Sequence, residues 1–197
     1  MSGDRPPRVG AIVLAAGESR RMGRLKALLP LEGRTFLEVL IGRLSEAGVG
    51  PIVLVLGSAA EEIQSAVKLS LTRVVRNPDP TRGQLSSILC GLEALASDDL
   101  DGIFIAPVDT PRVRLETLRR MLEAFPGRPL VVPVYRGRRG HPALFASSLF
   151  PALRQAPSEI GARAVVHDQA DRLELETDDP AVVEDFDRPE DFDPNRG

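Results

Sequence analysis

Short apolar runs alternate along most of the chain with longer stretches in which apolar residues recur at helical spacing. The apolar runs predict β-strands over residues 9–14, 52–56, 73–75, 102–106 and 130–134. The intervening patterns predict helices over residues 35–48, 59–68, 84–96 and 114–124. The first helix has an apolar face, which is formed by Phe36, Leu37, Leu40, Ile41 and Leu44. Gly48 is expected to end that helix.

Alternation of strands and helices predicts a parallel sheet whose crossover helices cover both faces. We therefore expect an α/β fold in one domain: a Rossmann-like three-layer sandwich around a mostly parallel sheet. Residues 135–197 are less regular and are expected to add a hairpin, two short helices and a returning strand to the same sheet. The expected boundaries are a disordered lead at 1–8, the domain at 9–192 and a tail at 193–197.

Polar and glycine residues follow the predicted strands, where a doubly wound sheet binds its ligand. These residues include Gly17 to Lys26 after the first strand, Asn77 and Gly83 after the third, Asp109 after the fourth and His141 after the fifth. A random scatter of polar residues would not show this arrangement, which predicts one site at the carboxyl edge of the sheet.

The first strand ends in Ala15-Ala16-Gly17, and four cationic side chains follow at Arg20, Arg21, Arg24 and Lys26. Exposed backbone amides with positive charge nearby bind phosphate groups. A Walker A loop is excluded because Ala27 follows Lys26, where that loop needs Ser or Thr. A dinucleotide-binding G-x-G-x-x-G loop is excluded because position 15 is Ala and position 20 is Arg. The alternative is a βα turn that is merely glycine-rich.

Residues 14–26 read L-A-A-G-x-S-x-R-M-G-x-x-K, which resembles the signature of the MobA-like nucleotidyltransferases. The Ala-Ala-Gly form is similar to that of molybdopterin cytidylyltransferases, whereas guanylyltransferase relatives typically carry Ala-Gly-Gly. The resemblance implies a nucleotide-diphospho-sugar transferase type of fold. It also implies nucleotide contacts from Leu14, Ala15, Ala16, Gly17, Glu18, Ser19, Arg21, Met22, Gly23 and Lys26. Arg21 and Lys26 are expected to be catalytic, by stabilising the departing pyrophosphate.

Asp109 stands between two prolines just past the fourth strand, so its carboxylate is expected to be rigid and exposed. A Mg²⁺ site needs one or two such carboxylates together with substrate phosphate oxygens. The alternatives are an Asp in a proline turn or a helix cap. The resemblance implies that Asp109 is catalytic and holds the metal.

The resemblance also implies a second metal ligand, Asp187, with Asp185 as its alternative. Arg188 replaces the Thr that is usual in the family. Val182, Val183 and Phe186 suggest a strand leading to this residue. The competing interpretation is a solvated acidic tail, since residues 178–193 contain eight acidic side chains and one arginine.

Two further segments are similar to substrate-binding segments of the family. The residues Gly83, Ser86 and Ser87 are expected to contact the nucleotide base, with plain N-capping as the alternative. The acceptor is expected to meet Arg139, Gly140, His141, Pro142 and Arg163. Glu159 and Ile160 stand where the family usually has Asp or Lys before Gly161-Ala162-Arg163. His167 has no such context and is interpreted as a surface residue.

The composition argues against several classes of protein, including nucleic-acid binders and membrane proteins. A net charge of −3 over 197 residues argues against a general nucleic-acid binder. No apolar run approaches the roughly 18 residues that a membrane span needs, and no signal-peptide pattern is present. Cys90 is the only cysteine, which excludes an intramolecular disulfide, and its helical pattern predicts a buried structural thiol. We expect a cytoplasmic protein.

The resemblance implies a Mg²⁺-dependent nucleotidyltransferase that moves a nucleoside monophosphate from an NTP, expected to be CTP, to a phosphomonoester, expected to be molybdopterin. Pyrophosphate would leave, and a molybdenum enzyme could receive the product. One alternative is transfer to a sugar 1-phosphate or another small phosphate, because a fold does not determine its substrate. The other is a non-catalytic chaperone that holds a cofactor precursor.

Overall fold

The computed structural model describes residues 5–17, 25–69 and 72–184. Within these ranges the strands are β1 Val9–Ala15, β2 Pro30–Leu31, β3 Arg34–Thr35, β4 Ile52–Leu56, β5 Thr72–Arg76, β6 Gly102–Pro107, β7 Leu130–Tyr135, β8 Arg138–Arg139, β9 Ala143–Ala146 and β10 Leu173–Glu176. The α-helices are α1 Phe36–Glu46, α2 Ala60–Ala66, α3 Gln84–Ala94, α4 Leu115–Ala124, α5 Phe150–Gln155 and α6 Ala162–Asp168. Short 3₁₀ helices lie at Lys26–Leu28, Pro80–Arg82, Ser147–Leu149 and Pro180–Val182.

The main sheet has the strand order β10-β7-β9-β6-β1-β4-β5, and β8 pairs with β7. Strands β6, β1, β4 and β5 are parallel, as are β7 and β10. Strand β9 runs antiparallel to β6 and β7. The expected mostly parallel sheet is confirmed. The carboxyl ends of the parallel strands consequently meet at one edge, which we call the carboxyl edge.

Burial alternates along β1 between two apolar clusters that lie on opposite faces of the sheet. Val9, Ala11 and Val13 join the cluster that contains α1 residues such as Leu37 and α4 residues such as Leu118. Ile12 and Leu14 join the cluster that contains residues of α3, α5 and α6, namely Ile88, Leu92, Leu153 and Val165. Successive side chains of a strand point to opposite faces, so a strand buried on both faces separates two helical layers. This confirms the expected three-layer sandwich.

Helix α1 begins with a capping box formed by Thr35 and Glu38. The Glu38 backbone N–H donates to Thr35 Oγ1 at 3.2 Å, and the Thr35 backbone N–H donates to Glu38 Oε2 at 2.9 Å. The second hydrogen bond is the largest cause of a pKa of Glu38 below its usual range. Gly48, with a φ of 89°, follows the end of the helix as expected.

The predicted strands and helices all exist, although most bounds move by one or two residues. The predicted hairpin, two helices and returning strand after residue 135 are confirmed by β7–β8, α5, α6 and β10. The predicted strand is wrong at Val182 and Val183, because Asp179 caps a 3₁₀ helix over Pro180–Val182. Its third residue, Phe186, lies outside the described residues. The small sheet of β2 and β3 was not predicted, since two-residue strands carry no periodic signal.

Cys90 is half-buried on α3 rather than fully buried, and it packs at the border of one apolar cluster. Among the helices in the described ranges, none is long and apolar enough to cross a membrane.

Candidate active site

The loop predicted to bind phosphate, residues 16–26, is called the phosphate loop. Its described start leaves β1 at the carboxyl edge beside a glycine of the neighbouring strand's loop. Ala15 and Ala16 are buried, while Gly17 is exposed. A Cβ built on Gly57, which directly follows β4, would lie 2.4 Å from the Ala16 carbonyl oxygen. Only glycine therefore allows the two loops to approach so closely. Gly57 was not singled out from the sequence, because its requirement comes from a contact with another loop.

Lys26 and Asp109 meet at this edge from different parts of the chain. Lys26 Nζ lies 3.6 Å from Asp109 Oδ2, and the exposed fractions of the two side chains are 13% and 31%. The register pairs Leu14 with Pro107, and the Val108 backbone N–H donates to the Leu14 carbonyl at 3.1 Å. Strand pairing thus places Asp109 beside the phosphate loop. Of the alternatives for Asp109, a helix cap is excluded, because α4 begins at Leu115 with Arg114 as its N-cap.

Arg43 of α1 holds the loop that follows Asp109. Its Nη1 donates to the carbonyls of Pro111 and Val113 at 2.9 and 3.2 Å. Its Nη2 pairs with Glu32 at 2.7 Å. Sequence reasoning missed Arg43, because it faces a loop almost seventy residues away and belongs to no local motif.

The loop between β5 and α3 is organised by Asn77, which is buried with 2% exposure. Its Nδ2 donates to Ser86 Oγ at 2.8 Å and to Ser87 Oγ at 2.9 Å. Helix α3 begins at Gln84 with Gly83 as its N-cap and no side-chain cap, so N-capping describes Gly83 but neither of the two serines. The sequence indicated the position of Asn77 after a strand but not its two serine partners.

The turn over residues 157–161 packs against the start of α3. A Cβ on Gly83 would lie 3.9 Å from the Ser158 carbonyl oxygen, and one on Gly161 would lie 3.9 Å from Leu85 Cβ. The structure therefore brings the segment that carries Arg163 next to the segment predicted to contact the base. Arg163 itself is exposed near the start of α6.

The Gly140-His141-Pro142 segment lies at the carboxyl edge between β8 and β9. The Gly140 N–H donates to the Pro133 carbonyl at 2.8 Å, and the His141 N–H donates to the Val182 carbonyl at 2.7 Å. A Cβ on Gly140 would come within 2.1 Å of that same Val182 oxygen, so the glycine is required for the contact. His141 is exposed and Pro142 is buried.

Asp179 connects this segment with the loop after Asp109. Its carboxylate, 1% exposed, accepts from the Arg114 backbone N–H and Thr117 Oγ1, both at 2.8 Å, and from the Ala181 N–H at 3.1 Å. These bonds attach the Pro180–Val182 helix to the start of α4. The sequence does not single out Asp179, because the residue lies in an acidic run that is typical of a solvated tail.

Arg139 faces a carboxylate in this structure. Its Nη2 lies 2.7 Å from Glu174 Oε1, which also accepts from Arg172 Nε at 2.9 Å. Hydrogen bonds from Arg172 and then Arg139 lower the pKa of Glu174 below its usual range. An acceptor phosphate that bound Arg139 would have to compete with Glu174.

Several predicted site residues lie outside the described residues: Glu18, Ser19, Arg21, Met22, Gly23, Asp185 and Asp187. Within the described part of the chain, no three His, Cys, Asp or Glu side chains gather as a metal-binding group. Leu14, Ala15, Ala16, Gly17, Lys26, Gly83, Ser86, Ser87 and Asp109 lie on loops or strand and helix ends at the carboxyl edge.

Residues 11–173 match the model of the MobA-like NTP transferase domain. The chain is 33% identical to nicotine blue oxidoreductase of Paenarthrobacter nicotinovorans over 192 residues, covering 92% of this chain and 93% of that protein. It is 26% identical to molybdenum cofactor cytidylyltransferase of Escherichia coli (strain K12) over 185 residues, covering 93% of each.

Among solved structures, the fold is similar to that of Rv0371c from Mycobacterium tuberculosis H37Rv. The TM-score is 0.85 at 31% identity, covering 95% of this chain and 96% of that one. Rv0371c in complex with manganese is also similar, with a TM-score of 0.73 at 28% identity over 91% of this chain and 95% of that one.

Proposed function

Because the chain belongs to the MobA-like NTP transferase family, we propose that it moves the cytidylyl group of CTP to the phosphomonoester of molybdopterin. The class of enzyme, a nucleotidyltransferase, follows from the family. The observation that carries the proposal is the approach of Lys26 Nζ to Asp109 Oδ2, 3.6 Å apart, beside the phosphate loop. A cation and a carboxylate are then available at the same place for phosphates and for a metal ion.

Two features support CTP and molybdopterin over other substrates of this class. The Ala15-Ala16-Gly17 loop and the Gly140-His141-Pro142 segment both match the pattern of the cytidylyltransferases. The similarity to the E. coli cytidylyltransferase covers 93% of both chains. The chain is also similar to an oxidoreductase, so the reaction itself has to be measured.

In the proposed reaction, a phosphate oxygen of the acceptor attacks the α-phosphorus of CTP. The bond between that phosphorus and the bridging oxygen to the β-phosphate breaks, and pyrophosphate leaves with the electron pair. The attacking phosphate is already anionic, so a strong general base is not required. The protein acts by positioning the two substrates and by offsetting their charge. Lys26, and in this proposal Arg21, stabilises the departing pyrophosphate.

Asp109 suits a divalent cation such as Mg²⁺. Its carboxylate is 31% exposed at the end of a buried strand, so it is both fixed by the sheet and accessible to a hydrated ion. Bound Mg²⁺ would neutralise charge on the reacting phosphates. In the proposal Asp187, or Asp185, supplies a second carboxylate. Val182, a described residue that precedes both in sequence, accepts a hydrogen bond from the His141 backbone N–H. The structure of Rv0371c with manganese supports a divalent metal in this family.

The remaining predicted site residues are proposed to bind the nucleotide or the acceptor. The phosphate loop, including Glu18, Ser19, Met22 and Gly23, would hold the nucleotide, with Gly83, Ser86 and Ser87 near the base. Arg139 to Pro142 and Arg163 would meet the acceptor. A cytoplasmic location and delivery of the product to a molybdenum enzyme belong to the same proposal.

The test is release of pyrophosphate with Mg²⁺ across CTP, GTP, UTP and ATP, each with and without molybdopterin. We expect release with CTP that depends on the pterin. A sugar 1-phosphate is the comparison acceptor, and oxidation of NADH or NADPH is followed in parallel.

The outcomes separate the alternatives. Release only with a sugar 1-phosphate or another nucleotide would retain the class of enzyme and overturn the substrates. Nucleotide binding without release for any acceptor would favour a chaperone. Reductase activity without pyrophosphate release would align the chain with its oxidoreductase relative instead.

A further inference from the structure

Asn77 uses every hydrogen-bonding group of its side chain inside the protein. Nδ2 donates to Ser86 Oγ and Ser87 Oγ at 2.8 and 2.9 Å, and Oδ1 accepts from the Asp79 backbone N–H at 3.0 Å. Its own backbone N–H donates to the Leu56 carbonyl at 2.8 Å. A buried amide with all its partners in place is a rigid connection between β5 and α3.

The orientation of this amide is determined by its partners. The Asp79 backbone N–H can only donate, so the Asn77 atom that faces it must be the oxygen. The atom that faces the two serines is therefore the amino nitrogen, which can only donate. It follows that both serine oxygens act as acceptors toward Asn77, and both hydroxyl hydrogens point elsewhere.

The hydroxyl hydrogens of Ser86 and Ser87 differ in whether the described residues provide an acceptor. Ser86 Oγ lies 2.7 Å from the Gly83 carbonyl oxygen, which accepts its hydrogen. Ser87 is buried, and its hydroxyl has no acceptor among the residues that the structure describes. Residue 87 lies in the first turn of α3 at the carboxyl edge. A buried hydroxyl hydrogen without an acceptor is costly unless a ligand accepts it.

We propose that Asn77 is a positioning residue for nucleotide choice: it directs the Ser87 hydroxyl to donate to a carbonyl or ring-nitrogen acceptor of the bound base. This inference rests on the proposed function, because it requires a nucleotide at this edge. Asn77 itself does not touch the base. It acts through Ser87 and through the loop that carries Gly83.

The test uses Asn77→Asp, which keeps the size of the side chain and the acceptor for the Asp79 N–H. In this variant the second carboxylate oxygen accepts hydrogen bonds at the position where the Asn77 amino group donates them. Both serine hydroxyl hydrogens then point toward residue 77, and Ser87 presents only lone pairs to the base. Three donors surround the new carboxylate, which keeps the variant foldable. Ser87→Ala removes the hydroxyl directly and serves as a second, independent variant.

The matched control is Ser65→Ala on α2. Ser65 Oγ donates to the Glu62 carbonyl at 2.8 Å, a bond of the same local kind as that of Ser86 to Gly83. Dissociation constants for CTP, GTP, UTP and ATP with Mg²⁺ are measured by calorimetry without acceptor, together with melting temperatures and kcat for the preferred nucleotide.

We expect Asn77→Asp to raise the dissociation constant of the preferred nucleotide about tenfold and to reduce its preference over the others, since the hydrogen bond to the base is lost. The melting temperature of Asn77→Asp should fall, because a buried carboxylate replaces a neutral amide, whereas kcat at saturating nucleotide should fall far less than the affinity for the preferred nucleotide. Ser87→Ala should show the same loss of preference. Adding it to Asn77→Asp should have little further effect, because the two residues act as one unit.

An unchanged order and ratio of the four dissociation constants in both variants would overturn the inference while leaving the proposed function intact. So would a uniform weakening of all four nucleotides, because that is the effect of a purely structural role. If the wild-type protein bound none of the four nucleotides, the proposed function would fail and this inference with it.

Discussion

Lys26 Nζ and Asp109 Oδ2 lie 3.6 Å apart although 82 residues of chain separate them. The pair forms because β1 and β6 are neighbours, and the two residues follow the carboxyl ends of those strands. In the proposed reaction both side chains face phosphate or metal, so they must exchange at least part of this contact for the ligand.

Replacing Asp109 with Ala should abolish turnover and preserve the fold. We expect kcat to fall about a thousandfold, since several kcal/mol of charge stabilisation by the metal is lost. The cost in stability should be small, about 1 kcal/mol or less, because the ion pair is partly exposed. Pyrophosphate release and urea unfolding check the two effects. Asp99→Ala, at the opposite edge and 3.7 Å from Arg8, is the control. Full activity of Asp109→Ala in Mg²⁺ would reject the metal assignment.

Replacing Gly57 with Ala should displace the phosphate loop. The new methyl would lie 2.4 Å from the Ala16 carbonyl oxygen, so backbone has to move. We expect KM for the nucleotide to rise at least about tenfold, since small misplacements in a site have large effects. The control is Gly42→Ala in α1, where the nearest atom is the end of the flexible Arg34 side chain at 3.2 Å. Equal kinetics for both variants would show that the Gly57 contact is unimportant for the site.

Replacing Arg43 with Met should lower kcat by about tenfold, because the loop after Asp109 loses both hydrogen bonds from Arg43 Nη1. Stability should fall by about 1–2 kcal/mol, as expected for lost hydrogen bonds to carbonyl groups. Glu32→Gln removes the partner of the 2.7 Å ion pair and leaves the carbonyl bonds in place. That control should stay near wild-type kcat. A loss of kcat in Glu32→Gln as large as the loss in Arg43→Met would assign the effect to the ion pair.

The capping box of α1 should make stability depend on pH. The pKa of Glu38 is lowered in the folded protein, so its contribution is present above the ordinary value of 4.5 and disappears as the pH falls through the lowered value. Glu38→Gln should therefore cost about 1 kcal/mol at neutral pH and progressively less below pH 4.5.

Urea unfolding of Glu38→Gln and wild type at several pH values measures this difference. The control is Glu116→Gln in the first turn of α4, a helix whose N-terminus has no side-chain cap. A penalty for Glu38→Gln that stayed constant down to acid pH would show that the charge of the carboxylate is not involved.

The sequence by itself determined the main strands and helices along the chain, the three-layer class and the edge at which the candidate site lies. These follow from local physics: buried strands are continuously apolar, crossover helices are amphipathic, and parallel strands end together. The 13-residue pattern from Leu14 to Lys26 is also sufficient to identify the family. The placement of Asp109 and Gly83 at that edge could be predicted because each follows a predicted strand, while their roles in binding stay predictions.

Only the tertiary structure decided which groups meet. It brings Asn77 to Ser87, Arg43 to the loop after Asp109, and Asp179 to the start of α4. Each of these contacts joins segments that lie apart in sequence, so no local pattern marks them. Asp179 shows the reason most clearly: in the sequence it is one acid in a run of acids, and only the packing of α4 against the Pro180–Val182 helix buries it among three donors. Burial and partner choice depend on the whole chain.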